Sequence, residues 1–308
     1  MSRVVYPGHQ KLRDFTILHR LEFPFPITCL CAASWGASFA VERADDLLEA
    51  PILAAIGANL LLIVSGLALN VAVDLRTDEL HKDKNYLAAA ARHIGRSRIR
   101  RWIGTEWVVA LGVATFLSLW SGRWLIVGAA TAVIVLHVLY NIDPIRLKRR
   151  GFVGSIAFGT SVVALPYLLS YSAVRPDFSP PIWPILVGLT MLTIGRTIWW
   201  ATPDGGADTE SGITTPTVRY GAARTLSYSN VTMLLAVSLI GFGLWWRYGP
   251  IWTLLGIAAH SAFLGSTLRV FGSRSNWVAP SAKRMRTRNM PMAMIGDVVL
   301  AIIPLSAA

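Results

Sequence analysis

Residues 51–83 read PILAAIGANLLLIVSGLALNVAVDLRTDELHKD. The stretch begins as an apolar run of about twenty residues, long enough to cross a bilayer core of roughly 30 Å. It ends in polar groups at a fixed interval: Asn70, Asp74 and Asp78. Residues four apart lie one turn along the same helix face. The reading is therefore a membrane helix that carries an amide and two carboxylates in one stripe at its boundary.

The rest of the chain repeats the first half of this pattern. Of its 308 residues, 54% are hydrophobic and only 15% are charged. A soluble domain carries about 25% charged residues. Apolar runs fall at about 23–41, 51–73, 102–120, 124–141, 152–174, 181–202, 226–246, 250–268 and 291–307. Lipid offers no partner for a bare backbone amide, so the runs must be helices. The expected fold is an all-α integral membrane bundle of about nine transmembrane helices. The first twenty residues lack the apolar segment of a signal peptide. Cys29 and Cys31 share the first run. Side chains two apart on a helix diverge, so they are expected as packing residues and not as a disulfide.

The net charge of +12 does not point to nucleic acid, because of where it lies. With the N-terminus inside, nine spans leave 75–101, 142–151, 203–225 and 269–290 on the same side. Those segments hold most basic residues, Arg96, Arg98, Lys148, Arg149, Lys283 and Arg284 among them. Each outer loop keeps a single arginine: Arg43, Arg123, Arg175 or Arg247. This positive-inside bias predicts a cytoplasmic N-terminus, in a bacterial plasma membrane. The basic face is expected to meet anionic lipid headgroups.

A second polar cluster follows the sixth run, in WWATPDGGADTESGITTPTVRYG at 199–221. Asp204 and Asp208 are again four apart, although Gly205 and Gly206 weaken a helix there. Both clusters start where an apolar helix ends, and topology puts both on one face. Oxygen donors in this number suit magnesium, which takes one or two carboxylates and fills its shell with water and phosphate oxygens. Two such clusters suit a diphosphate whose departure adds negative charge. Basic side chains at the same face, Arg20, Lys82, Lys84, Arg146 and Lys148, would complete its neutralisation. A transporter would place its ionisable groups near the midplane instead.

Other polar and aromatic residues are secondary candidates. Arg196, His137, Glu106, His260 and Asp297 lie within or at the ends of spans, where ionisable groups are costly. Trp199 and Trp200 directly precede the second cluster. Their ring faces, and His137, could stabilise an allylic cation beside a diphosphate. Most of the tryptophans suit an interfacial belt.

With these residues in view, the chain resembles the UbiA superfamily of intramembrane prenyltransferases over essentially its whole length. The family's N-x-x-x-D-x-x-x-D motif is similar to Asn70, Asp74 and Asp78. Its second aspartate motif, followed by G-[IV]-x-T-x-P-x-x-x-G, resembles Asp204, Asp208, Gly212, Ile213, Thr215, Pro216 and Gly221. A third signature resembles Tyr140, Pro144, Leu147 and Lys148, and the segment around Arg20 is similar to the family's N-terminal arginine segment. The resemblance implies one domain over 1–308, with motif loops at about 75–101 and 203–225 and a central cavity open to lipid. It implies Mg2+ held by Asn70, Asp74, Asp78, Asp204 and Asp208, with the four aspartates and Tyr140 catalytic. The prenyl diphosphate would be bound by Asn70, Arg20, Lys82, Arg146, Lys148 and Arg196. The acceptor would be an aromatic or a lipid. One departure stands out: many aromatic prenyltransferases of the family continue with an Asn-Arg-Pro segment, whereas residues 82–95 read KDKNYLAAAARHIG. Transfer to an acceptor and cyclisation of the prenyl chain without one both remain open from the sequence.

Overall fold

The computed structural model describes residues 8–80, 83–210, 212–272 and 281–307. Among them, seven helical stretches are long and apolar enough to cross a membrane. They are Ala50–Val73, Arg96–Ser121, Phe152–Val174, Ile182–Glu210, Ala222–Tyr248, Pro250–Arg269 and Met285–Ser306. Two further apolar helices, Phe25–Ala40 and Leu125–Asn141, are shorter, at 16 and 17 residues. Together they coincide with the nine expected runs.

The helices are α1 (Gly8–Leu18), α2 (Phe25–Ala40), α3 (Ala50–Val73), α4 (Leu75–Leu80), α5 (Asn85–Ile94), α6 (Arg96–Ser121) and α7 (Leu125–Asn141). Then follow α8 (Phe152–Gly159), α9 (Leu165–Val174), α10 (Ile182–Trp200), α11 (Gly205–Glu210), α12 (Pro216–Tyr220), α13 (Ala222–Tyr248) and α14 (Pro250–Gly272). The last span runs from α15 (Ala282–Arg284) through a wide turn into α16 (Met290–Ser306). The segment after α3 is mostly helical. The basic residues from Arg96 to Arg101 belong to the start of α6 and not to a loop.

Packing closes the bundle into a ring. α2 packs on α3 and α9, α7 on α9, α8 on α10, α10 on α13, α13 on α14, α14 on α16, and α16 returns to α2. The polarity is inverted relative to a soluble protein. Large apolar side chains such as Val108, Phe116, Trp120, Trp245 and Ile251 point outward, while Asn59, His137, His260 and Asp297 are buried. Outward apolar residues suit lipid; buried polar residues need partners. Where α2 crosses α9, Gly36 lies so close to Tyr167 and Ser170 that a side chain would collide with the opposing backbone. Small residues at such crossings let membrane helices approach for van der Waals packing.

The fifth span is not a straight helix. A π turn over Thr160–Ala164 separates α8 from α9. Pro166 causes it: its ring has no N–H and crowds the carbonyl one turn earlier, at Val162. Asn59 braces the distortion from α3, donating to the carbonyls of Pro166 at 2.7 Å and Ala33 at 3.0 Å. One buried amide thus ties α2, α3 and α9. Asn59→Ala is expected to cost about 1–2 kcal/mol, since each such bond is worth about 1 kcal/mol or somewhat less in a membrane interior. Thermal unfolding of the purified protein in detergent would show a lowered midpoint; an unchanged midpoint would mean that the brace carries no load.

Candidate active site

The first cluster keeps its helical register across the end of α3. Asp74 closes that helix, its N–H bonded to the Asn70 carbonyl at 3.1 Å. The Asp78 N–H then bonds to the Asp74 carbonyl at 2.9 Å. The four-residue stripe therefore survives the short break before α4. The Asn70 amide nitrogen is committed to Asn141 Oδ1 at 3.0 Å, which leaves its carbonyl oxygen as the group for a ligand. Asp74 is buried and held from the loop after α7. Arg146 Nη2 donates to its Oδ1 at 3.1 Å, and Lys148 Nζ contacts its Oδ2.

The second cluster is also helical, despite its glycines. Asp204 ends a 3-10 turn at Thr202–Asp204 and Asp208 lies in α11. Gly205 has ordinary helical angles. Its value is steric: a Cβ there would lie 2.8 Å from Thr217 Cγ2, so a larger residue would displace the Thr217 side chain. Lys84, just before α5, donates to Asp204 Oδ1 at 2.7 Å. α11 packs against α4, which brings the two motif helices side by side. The third signature is tied in as well: Gly151 N–H bonds to the Thr214 carbonyl at 3.1 Å. Sequence-distant motif segments thus meet at one end of the bundle.

Behind them lies a cavity of about 300 Å³, walled by α2, α3, α7, α8, α10 and α16. Asn70, Asp74, Asp78, Asp204 and Asp208 line it, as do Arg20, Lys84, Lys148 and Tyr140. Trp200, Phe25 and Phe158 also line it, with Lys84 Nζ 5.8 Å from the Trp200 ring and the Arg20 guanidinium 5.2 Å from the Phe25 ring. Phe25 meets Trp200 edge-on at 5.8 Å, and Tyr140 lies 5.8 Å from Phe158. These two phenylalanines were not singled out by the sequence; nothing separates them there from lipid-facing ones.

Other expected residues fall elsewhere. Trp199 turns away from the cavity and packs on Phe263 at 5.1 Å. His137 is buried with its ring against Gly66 of α3 and does not line the cavity. Arg146 stands behind Asp74 and does not line the cavity. Arg196 does line it, but Nη1 is bonded to both carboxylate oxygens of Asp297, each at 3.0 Å. Lys82 lies outside the described residues. Cys29 and Cys31 are free and buried.

The donor set fits magnesium of a particular kind. Among the described residues, no three acidic, histidine or cysteine side chains converge on one point as a self-sufficient cage would require. Carboxylates arriving from two helices, one or two at a time, suit an ion that completes its shell with phosphate and water. The acids are poorly compensated without such a ligand. Asp74 and Asp204 each have a cation; Asp78 has no ion pair among the described residues. Burial, and then the neighbouring Asp74 carboxylate, push Asp78 up to about 6. The sign follows directly. Between the usual value of 3.8 and about 6 the unfolded chain loses this proton before the folded one, so folding weakens as pH rises through that window. Asp78→Asn is therefore expected to raise the thermal midpoint of the metal-free protein at pH 7, and to leave it little changed at pH 4. Thermal scans in chelator at both pH values check this.

Comparison with known proteins agrees with the fold. The model of the UbiA prenyltransferase family matches residues 29–289. A homogentisate phytyltransferase from Synechocystis sp. is 26% identical over 261 residues, covering 82% of this chain and 80% of that protein. A lycopene elongase/hydratase from Haloarcula japonica is 30% identical over 141 residues, 46% of this chain and 47% of its own. The solved structure of a UbiA homolog from Archaeoglobus fulgidus, bound to GPP and Mg2+, superposes with a TM-score of 0.70 at 14% identity. The match covers 95% of this chain and 99% of that one. The all-helical membrane fold is shared, and with the family model matching most of its length the chain belongs to the UbiA prenyltransferase family.

Proposed function

We propose that the chain is a magnesium-dependent intramembrane prenyltransferase that ionises a prenyl diphosphate and passes the prenyl group to an aromatic or lipid acceptor. One observation carries the reading. Four carboxylates, an amide and three cations share one cavity with apolar and aromatic side chains, among them Phe25, Leu67, Phe158, Val162, Val163 and Trp200. A molecule with a polyanionic head and a hydrocarbon tail matches that combination.

Asn70, Asp74, Asp78, Asp204 and Asp208 would hold the metal and, through it, the diphosphate. Bound magnesium supplies the neutralising charge for the leaving pyrophosphate. Lys84, Lys148 and Arg20 donate to phosphate oxygens, which requires Lys84 and Lys148 to loosen from Asp204 and Asp74. The carbon–oxygen bond then breaks, and its electron pair leaves with pyrophosphate. The allylic cation left behind faces Trp200, Phe25, Phe158 and Tyr140. Their ring faces lower its energy, and their bulk keeps water from quenching it. The acceptor supplies the electron pair for the new bond and loses a proton.

By the positive-inside rule, the motif loops and the N-terminus lie in the cytoplasm, where soluble prenyl diphosphates are supplied and pyrophosphate is discharged. The basic segments on that face meet anionic lipid.

Asp74→Asn/Asp204→Asn is expected to lower magnesium-dependent pyrophosphate release by at least about 10²-fold, the scale of losing a preorganised electrostatic contact. Release at the wild-type rate from a folded double variant would sink the reading. Incubation with prenyl diphosphates of several lengths and no acceptor separates transfer from cyclisation. Cyclic hydrocarbon or alcohol products would reassign the chain as a terpene cyclase of the same scaffold.

A further inference from the structure

The cavity contains an ion pair that ionisation at its mouth does not use. Arg196 on α10 and Asp297 on α16 both line it, bridged by two contacts of 3.0 Å. Asp297 is wholly buried, and Trp35 donates to its backbone carbonyl at 3.2 Å. His260, also buried, comes within 3.9 Å of the same carboxylate, with neither ring nitrogen hydrogen-bonded. Arg196 precedes Asp204 by eight residues, about 12 Å along a helix. The pair therefore lies beneath the diphosphate end of the cavity.

Such a pair is an expensive way to join two helices. Apolar residues of the same volume hold as well or better, because two charges must be desolvated. Ionisable groups at membrane depth are functional candidates for that reason. A prenyl tail is the wrong partner, since hydrocarbon laid over a guanidinium denies it hydrogen bonds. The arginine also has donors to spare. A guanidinium carries five N–H bonds. Nη1 serves Asp297, Nη2 makes a marginal 3.5 Å approach to Thr193, and Nε has no partner among the described residues.

We propose that Arg196 receives an uncharged hydroxyl of the acceptor, with Asp297 as the positioning residue that fixes the guanidinium and cancels its charge. The proposal rests on the prenyltransferase reading and names the acceptor chemistry it left open. Neutralisation decides which oxygen is accepted. A carboxylate at Arg196 would put a second negative charge beside Asp297 in a medium of low dielectric. A hydroxyl lone pair takes the free N–H at no cost in net charge.

The test is binding of 4-propylphenol and of 4-propylbenzoate, its anionic counterpart at pH 7.5, read by quenching of tryptophan fluorescence in nanodiscs. The wild type is expected to bind the phenol at least about tenfold more tightly, the worth of one hydrogen bond to a charged donor. Arg196→Met/Asp297→Leu removes both charges together, so no buried charge is stranded. It should weaken phenol binding about tenfold while the KM for prenyl diphosphate shifts by less than about threefold. Arg196→Lys, which keeps a charged donor, should restore part of the phenol affinity. Preference for the benzoate, equal phenol binding by the double variant, or no binding of either probe by the wild type overturns the proposal. Loss of magnesium-dependent pyrophosphate release from the wild type would instead sink the reading beneath it.

Discussion

The site depends on charge borrowed across the sequence. A carboxylate cluster at the edge of an apolar cavity cannot assemble unaided, because like charges at low dielectric repel strongly. Here the first aspartate of each motif is compensated by a base from another segment. Asp74 is held by Arg146 and Lys148 from the connection after α7, and Asp204 by Lys84 from the start of α5. These pairs bring the ends of α3, α7 and α10 together before any ligand arrives. A magnesium–diphosphate would then exchange with these contacts: metal takes the carboxylates, and the freed lysines meet phosphate. Positive and negative groups stay matched through the exchange.

The same economy explains two backbone irregularities. Among the described residues, Arg20 and Arg146 are the non-glycine residues with positive φ, at 54° and 34°. Left-handed backbone costs such residues about 1 kcal/mol or more and persists where surroundings enforce it. Arg20 lies on the cavity wall and Arg146 grips Asp74 from behind. The strain thus sits where a guanidinium must be aimed at the site, as it commonly does at functional centres.

What the sequence disclosed follows from how local each feature is. Span positions were legible because lipid forces every apolar run of sufficient length into a helix. The Asn70–Asp74–Asp78 stripe was legible because a four-residue interval needs only helical geometry. Lys84 could be grouped with the site by its side of the membrane, but its pairing with Asp204 across 120 residues could not be read. Trp199 and Trp200 differ only by rotation about α10, which its packing against α13 and α8 fixes; Trp199 is left facing Phe263. His137 is a cavity candidate in the sequence because it is an ionisable group within a span. The close approach of α3 at Gly66 places its ring in a helix seam instead. The π turn was hidden because Pro166 could equally have produced a simple kink.

On the proposed reading, selectivity and ionisation have separate homes in this architecture. The mouth is rich in charge as a polyanionic ligand would require, and its excess acid would be relieved by the metal that accompanies that ligand. At membrane depth an unpaired charge is costly, so the interior favours charge held as a neutral pair. Arg196 and Asp297 meet that condition, and in meeting it they change what the arginine can recognise: a compensated guanidinium discriminates by hydrogen bonding and no longer by charge. On that reading a single chain would present an anion-binding end and an anion-rejecting interior about 12 Å apart along one helix, and pyrophosphate leaving the mouth would meet no anion site deeper in the membrane.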